Sequence, residues 1–411
     1  MSRLFDVVLL GAGPAGCAAA AALAGKGFTT AVVSKGVTTG VQGLSARALV
    51  SLTEAGLAPA ARCASGPAAR VVFWSGERSE RGQEGLVERE MFDARLRSCL
   101  PDVVWMDATA RSITFADDVW QVETSLGPIR GRTLLDARGR RTRRSDERGP
   151  LLVSWSLNLK LQQHMTARSA ITALDDGWCW LAMTPGGSVR AQFVTSANQQ
   201  VGREQLAVRI RAAAEKMPDI ELPVERLLAR GSHSACAAVA RYSRPARGPG
   251  YLRIGDAAVA MDPLSGNGVH EAVRSARVAV VAVNSFLQGV PWSIVARFVD
   301  ERSRELWRRS VRTAADFYRL QANWSGSRFW TSAAAAYGRA ASEATDEPGG
   351  DGRFELRPVL NVERIELRRV WVSSDFPRGV WQIDGRSLER TPADQIPSLL
   401  RRAAGAMRHE V

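Results

Sequence analysis

A glycine-rich turn constrains this fold more than any other feature of the sequence. It has the sequence GAGPAG at residues 11–16 and directly follows the apolar run of residues 5–10. A buried strand followed by G-x-G-x-x-G and an alanine-rich helix is the fingerprint of a dinucleotide pyrophosphate site. The glycines allow the tight turn, the close approach of a phosphate and the close packing of helix on strand, while the helix N-terminus attracts the anion. The predicted contacts are Gly11, Gly13, Ala15 and Gly16.

A second glycine-rich segment lies far along the chain and predicts the flavin end of the same site. Asp256 follows Gly255 at the end of a predicted strand, where its carboxylate can accept a hydrogen bond from a ribityl hydroxyl; the alternative is a turn or helix-cap residue. The sequence DPLSGNGV at 262–269 precedes a predicted helix, whose positive end can stabilise negative charge on a reduced flavin. The alternative for this loop is an ordinary glycine turn. The predicted contacts are Gly255, Asp256, Pro263, Gly266, Asn267, Gly268 and Val269.

The composition excludes several other classes of protein. The five cysteines show no C-x-x-C spacing, so we expect neither a disulfide framework nor a metal site, and a reducing, cytoplasmic location. The longest alanine-rich run, residues 17–24, is too short to span a bilayer. The net charge of +13 favours an acidic partner, and no nucleic-acid-binding module is visible. We expect the arginine-rich residues 138–144 to form a solvated loop, or alternatively a docking patch.

The order of predicted elements indicates an α/β protein of two or three lobes. Strands and helices alternate at the start of the chain, and a mostly β region over 151–244, interrupted by a helix at 203–216, predicts an α+β substrate domain. Further helices are predicted over 43–57 and 297–320. The sequence DEPGGDG at 346–352 predicts a linker before a small C-terminal domain at 353–411, which ends in a short basic helix over 397–407. A discontinuous first domain then comprises residues 1–150 and 245–345.

Four segments in order resemble the FAD-dependent monooxygenase and halogenase superfamily, the para-hydroxybenzoate-hydroxylase-like flavoproteins. They are the turn at 11–16, GLSAR at 43–47, REMFD at 89–93, and GD at 255–256 with its following loop. The resemblance implies a GR2-type FAD-binding Rossmann-like domain with an inserted substrate domain. It also implies NADH or NADPH as reductant, O2 as oxidant and a flavin C4a-hydroperoxide. Arg47 is implied to contact the FAD pyrophosphate and Arg89 to lie beside FAD, while Ser34 and Lys35 replace the usual acidic ribose ligand.

A strand with the sequence GWCW at 177–180 resembles part of a halogenase motif. Trp178 and Trp180 fall on one face of this strand and can line a wall between flavin and substrate; the alternative is a pair of core aromatics. Halogenases also need a relay lysine in the region that corresponds to 65–75 here, and this region has none. The sequence therefore predicts hydroxylation. The catalytic candidates are Trp178, Trp180, Pro263 and His270, for which a capping or packing histidine is the alternative.

Within the superfamily, the DPLSG loop and the C-terminal extension resemble the flavoproteins that hydroxylate a peptidyl tryptophan in tryptophylquinone biogenesis. The implied partner is the small subunit of a quinohaemoprotein amine dehydrogenase, with residues 353–411 as its docking domain on a monomeric enzyme. Two alternatives remain. One is a hydroxylase or epoxidase of a small aromatic or polyketide metabolite, and the other is a flavin-bound, non-catalytic maturation chaperone.

Overall fold

The computed structural model describes residues 3–36, 38–100, 102–141, 145–344, 353–372, 380–383 and 386–388, with 391, 393, 395–396 and 399–400. The helices in chain order are α1 (Pro14–Gly25), α2 (Ala46–Glu54), α3 (Ala58–Ala61), α4 (Arg89–Ser98), α5 (Arg203–Glu215), α6 (Val224–Arg230), α7 (Gly268–Leu287), α8 (Trp292–Ser325) and α9 (Arg328–Glu343). The strands in chain order are β1 (Leu4–Leu10), β2 (Thr30–Val33), β3 (Val41–Ser45), β4 (Ser65–Trp74), β5 (Glu77–Glu88), β6 (Val104–Met106), β7 (Ala110–Ala116), β8 (Val119–Thr124), β9 (Gly127–Asp136), β10 (Glu147–Arg148), β11 (Leu152–Lys160), β12 (Arg168–Leu174), β13 (Gly177–Met183), β14 (Ser188–Ser196), β15 (Ser232–Ala237), β16 (Arg241–Tyr242), β17 (Ala246–Gly248), β18 (Tyr251–Arg253), β19 (Val259–Ala260), β20 (Arg353–Asn361), β21 (Arg364–Val372), β22 (Gln382–Ile383) and β23 (Arg386–Ser387).

The first sheet forms the nucleotide-binding half of the fold. Its parallel strands follow the order β18-β9-β1-β2-β6, with β17 antiparallel at one end and the meander of β7 and β8 joined to β9. Leu10, Asp136 and Arg253 stand in register at the carboxyl ends of β1, β9 and β18. Ligands of open α/β sheets bind at this edge. The register therefore brings both glycine-rich segments to one place.

The second sheet forms the other half, in the order β15-β11-β14-β13-β12-β4-β5-β3. Helices α5 and α6 cover one face, over a core that includes Cys179, Leu181 and Phe193. The opposite face packs on α8 and α9 through an aromatic cluster that includes Trp178 and Trp330. The boundary predicted at residue 150 does not coincide with a sheet boundary, because β3, β4 and β5 pair into this second sheet.

Two helix predictions differ from the structure. Residues 41–45 are strand, and α2 begins only at Ala46, because the side chain of Ser45 caps the helix by accepting from the N–H of Ala48 at 3.3 Å. The helix predicted over 297–320 is longer, at 292–325, and α9 follows it. Within the described residues, no helix is long and apolar enough to cross a membrane.

The C-terminal hairpin of β20 and β21 packs against the nucleotide-binding half. Ile365 is buried in the same core as α1 and α7, and its N–H donates to Ser285 Oγ at 2.9 Å. Lys26 and Glu363 form an ion pair of 2.6 Å. The linker predicted at 346–352 and most of the basic helix predicted over 397–407 lie outside the described residues. The docking role of residues 353–411 stays a prediction.

Candidate active site

The first glycine turn has the geometry of an anion site. Gly11 has φ +96°, and a Cβ there would lie 2.6 Å from the carbonyl oxygen of Ala137. A Cβ on Gly16 would collide with the carbonyl oxygen of Gly11, whereas one on Gly13 would meet nothing within 4 Å. Gly13 is also the N-cap of α1 and offers no side-chain cap, so the first N–H groups of the helix face open space. Ala15 is buried against Gly255, so only its backbone is available to a ligand.

Asp256 is oriented by an arginine that sequence reasoning did not single out. Arg140 Nε lies 3.1 Å from Asp256 Oδ2, and the same guanidinium donates to the carbonyls of Met261 at 2.7 Å and Val239 at 3.1 Å. Among the described residues nothing donates to Asp256 Oδ1, which therefore remains able to accept from a ligand hydroxyl. The arrangement fits the ribityl contact that we predict for Asp256.

The expectation of a solvated arginine loop at 138–144 is wrong for its first residues. Arg138 forms a 2.7 Å ion pair with Asp136, which is fully buried and also accepts from Tyr251 Oη at 3.2 Å. Burial of that carboxylate requires a charged partner, and Arg138 supplies it. Arg140 is likewise hydrogen-bonded, to Asp256, Val239 and Met261. Residues 142–144 lie outside the part of the chain that the structure describes.

A buried carboxylate holds the loop of the second glycine segment. Asp262 accepts from the N–H of Leu264 at 2.8 Å, from Tyr318 Oη at 3.1 Å and from Tyr337 Oη. Burial raises the pKa of this carboxyl, although its hydrogen bonds act in the opposite direction. Burial also raises the pKa of both tyrosines well above their ordinary value, so both hydroxyls remain donors. The network fixes the loop from which α7 starts.

The predicted contacts of this loop lie around the N-terminus of α7. Gly266 is exposed with φ +62°, and Pro263 and Asn267 are half-buried. Gly268 begins the helix, which lacks a side-chain cap at Asn267, and a Cβ on Gly268 would meet nothing within 4 Å. Val269 is buried in the core behind the helix, so its side chain is not available to a ligand.

The two tryptophans of β13 occupy different environments. Trp178 is 2% exposed, lies in the aromatic cluster beneath the loop, and donates from Nε1 to Tyr318 Oη at 3.2 Å. Trp180 is half-buried and packs against the cluster of Val41, Ala68, Leu86 and Ala182 as well. Trp178 thus supports the loop through Tyr318, and Trp180 is the more accessible of the two.

His270 and Arg47 lie together at a cavity of about 320 Å³ beside the loop. Its apolar lining includes Leu264 and Phe317. His270 Nδ1 lies 2.7 Å from Ser51 Oγ, which orients the imidazole ring. The volume is at the lower end of the range for small-molecule sites. The cavity is therefore of a size to accept one side chain or a small ligand.

The remaining predicted cofactor contacts lie in or beside the loop after β2. Arg89 forms a 2.7 Å ion pair with Asp93, whose other oxygen accepts from the N–H of Thr38 at 3.2 Å, so the pair orders this loop. Ser34 is half-buried with its N–H bonded to the carbonyl of Met106 at 3.1 Å, and Lys35 is exposed. Ser34 and Lys35 thus follow the carboxyl end of β2, and Arg89 lies beside the loop that continues from them, with its N–H bonded to the carbonyl of Gly40 at 2.9 Å.

Sequence reasoning missed Arg140, Tyr318 and Tyr337. The arginine stands in an arginine-rich stretch, whose composition predicts solvent-exposed side chains. The tyrosines stand in helices α8 and α9, where nothing in the helical periodicity separates them from ordinary core residues. The motif DARGR at 136–140 is the one signal that points to a structured arginine pair.

The arrangement fits a bound dinucleotide with a flavin. Two long helices present uncapped N-termini at one sheet edge, two glycines leave open space there, and Asp256 offers a free acceptor. Within the described residues, no group of three His, Cys, Asp or Glu side chains could hold a metal ion. Uncapped helix N-termini suit phosphates, and the free carboxylate oxygen of Asp256 suits a ligand hydroxyl.

Solved structures of flavoproteins share the fold of this chain. No protein-family model matches the chain, and no curated protein sequence matches it. Among solved structures, the chain is similar to the peptidyl tryptophan dihydroxylase QhpG, essential for tryptophylquinone cofactor biogenesis, at TM-score 0.81 and 30% identity over 96% of this chain and 93% of that one. It shares its fold with the flavin-dependent halogenase CmlS, at TM-score 0.66 and 16% identity over 99% and 92% of the two chains.

The myxobacterial chondrochloren halogenase CndH, an FAD-dependent halogenase, matches at TM-score 0.62 and 19% identity over 80% of this chain and 86% of that one. The superfamily resemblance and the α/β flavoprotein fold predicted from the motifs are thus confirmed. The chain belongs to the family of FAD-dependent monooxygenases that includes the peptidyl tryptophan dihydroxylase QhpG.

Proposed function

We propose that this protein is a cytoplasmic, monomeric monooxygenase that uses FAD, NADH or NADPH, and O2 to hydroxylate a tryptophan side chain in a partner polypeptide during tryptophylquinone biogenesis. The proposal rests chiefly on one observation. The match to QhpG extends over 96% of this chain and 93% of that one, at 30% identity. The proposed partner is the small subunit of a quinohaemoprotein amine dehydrogenase.

Bound FAD would accept hydride from the nicotinamide and activate O2 for transfer of one oxygen atom. The chain's own residues hold and orient this group. The α1 N-terminus at Gly13 binds the pyrophosphate, and Asp256, held by Arg140, accepts from a ribityl hydroxyl. The α7 N-terminus at Gly268 stabilises negative charge on the ring, because the positive end of a helix favours an anion.

The cavity beside the loop is the proposed site for the target indole. Leu264 and Phe317 supply an apolar lining that suits an aromatic ring, and Arg47 and Arg309 lie at the same cavity. His270 lies in its wall, and its bond to Ser51 fixes the ring. His270 is therefore the proposed acid–base group. Trp180, the more accessible tryptophan of β13, is a proposed wall between flavin and substrate. The strand β4, in the region where halogenases carry their relay lysine, offers an arginine instead, which favours hydroxylation.

The direct test uses purified protein with FAD, NADH and the small-subunit polypeptide in air. We expect the polypeptide to gain the mass of oxygen at tryptophan, located by tandem mass spectrometry, and we expect none of this gain when that tryptophan is replaced by phenylalanine. NADH oxidation without any gain of oxygen in the polypeptide would contradict the proposed substrate. No NADH oxidation with any acceptor would instead favour a non-catalytic maturation role.

A further inference from the structure

Arg70 belongs to the second sheet and lies beside the loop at residues 262–267, which we call the flavin loop. It stands in β4, in register with Ser169 of β12, on the face of the sheet that carries Trp180. A Cβ on Gly266 would lie 3.4 Å from Arg70 Nη1 and 3.8 Å from Nη2. The guanidinium therefore lies on the side of Gly266 to which a Cβ would point, beside the loop just before α7.

This guanidinium has no counter-ion among the described residues. Its Nε is buried without a hydrogen-bond acceptor, and so is the hydroxyl of neighbouring Ser169. The carboxylate of the loop, Asp262, is fully committed to Leu264, Tyr318 and Tyr337. A partly buried cation without an anion is unfavourable in the free protein, so its position points to a ligand that carries negative charge.

A second positive potential reaches the same place. The N-terminus of α7 begins at Gly268, two residues beyond Gly266, which lies beside Arg70, and it has no side-chain cap. Helix N-termini carry partial positive charge, so the helix and the guanidinium act on the same small volume. Both would stabilise negative charge that develops there, and neither would stabilise a neutral ring to the same degree.

We propose that Arg70 stabilises the reduced, anionic form of the bound flavin and so raises its reduction potential. The inference rests on the proposed function, because it takes FAD to be the ligand of the loop. The proposed role of β4 is thus to place a positive charge that acts on the cofactor. Arg70→Met removes the charge and keeps the length of the side chain, whereas Arg70→Lys keeps the charge.

The experiment measures the midpoint potential of FAD in the purified holoenzyme, without substrate. We expect Arg70→Met to favour the oxidised form about tenfold more than wild type, which lowers the potential of a two-electron couple by about 30 mV. Arg70→Lys is expected to stay near wild type. The matched control is Arg168→Met, on the neighbouring strand, because Arg168 lines a cavity with Ala69 and Val71 on the opposite face of the sheet.

A second readout covers the case in which Arg70→Met folds poorly. Sulfite adds to oxidised flavin and leaves negative charge on the ring, so Arg70→Gln should bind sulfite about tenfold more weakly by absorbance titration. An unchanged potential and an unchanged sulfite affinity in the uncharged variants would overturn the inference and leave the proposed function intact. A shifted potential in a holoenzyme that does not oxygenate the polypeptide would support the role of Arg70 and count against the proposed substrate.

Discussion

The hydroxyl of Tyr318 donates to Asp262 Oδ2 at 3.1 Å and thereby joins the long helix α8 to the loop that leads into α7. Tyr337 of α9 donates to the same oxygen. Trp178 of β13 donates to Tyr318, so the second sheet is coupled to the loop as well. The position of the flavin loop therefore depends on groups drawn from three separate elements of the fold.

Removal of one of these hydroxyls should weaken the fold measurably. Tyr337→Phe leaves a fully buried carboxylate with one donor fewer, and we expect a loss of about 1–3 kcal/mol in the free energy of unfolding. Chemical denaturation followed by tryptophan fluorescence measures it. The matched control is Tyr242→Phe, a buried tyrosine of the same aromatic cluster whose hydroxyl has no hydrogen-bond partner within the described residues. Equal losses in the two variants would contradict a specific role for the bond to Asp262.

The pH dependence of stability should carry a signature of Asp262. Because burial raises the pKa of this carboxyl in the folded state above its ordinary value of 3.8, the folded protein holds the proton more tightly than the unfolded chain. The resulting stabilisation is complete below pH 3.8 and is lost as pH rises through the folded-state pKa. Asp262→Asn does not titrate, so the stability of wild type relative to this variant should fall as pH rises above about 4.

Denaturation of both proteins at a series of pH values measures this difference, with Asp316→Asn as a control, since Asp316 is exposed on α8. A difference that stays constant with pH, or that rises with it, would show that the carboxyl is not held with a raised pKa.

The nucleotide half of the site could be predicted from sequence because its chemistry is local. The turn at 11–16 and the loop at 262–269 place glycine where backbone geometry demands it, and this demand is visible in the sequence alone. The support of the loop could not be predicted, because Asp262, Tyr318 and Tyr337 meet only through the packing of α8 and α9 on the second sheet. Likewise, β3, β4 and β5 pair with strands of that sheet that are distant in sequence. The alternation of residues within each strand does not show which distant strands it pairs with.

The two tryptophans of β13 should respond differently to substitution. Trp178→Phe removes a buried ring and its hydrogen bond to Tyr318, so we expect a loss of about 1–3 kcal/mol in the free energy of unfolding. Trp180→Phe affects a half-buried ring and should change stability by less, while kcat/KM for the polypeptide falls about tenfold if Trp180 lines the substrate. Thermal unfolding and NADH-coupled turnover, measured on both variants, separate the two effects. Full activity in Trp180→Phe would remove it from the predicted site.

Asp256 should control the affinity for FAD. Loss of a charged acceptor for a ligand hydroxyl removes about 1.5–3 kcal/mol, so Asp256→Ala should bind FAD about 10- to 150-fold more weakly. Arg140→Met should weaken binding less, because it frees the carboxylate without removing it. Fluorescence titration of the apoprotein with FAD gives both values. The proposed orientation of Asp256 is wrong if Arg140→Met weakens binding more than Asp256→Ala does.

Gly13 and Gly16 provide a paired test of the dinucleotide turn, because the same methyl group meets different surroundings at each. Gly16→Ala forces a Cβ onto the carbonyl oxygen of Gly11 and should destabilise the fold, with a fall in Tm of several degrees. Gly13→Ala places its Cβ in open space on an extended backbone, so the Tm of the FAD-free protein should match wild type. The methyl group then occupies the space assigned to the pyrophosphate, and FAD affinity should fall at least tenfold. Wild-type FAD affinity in a stable Gly13→Ala variant would show that the pyrophosphate does not bind at the N-terminus of α1.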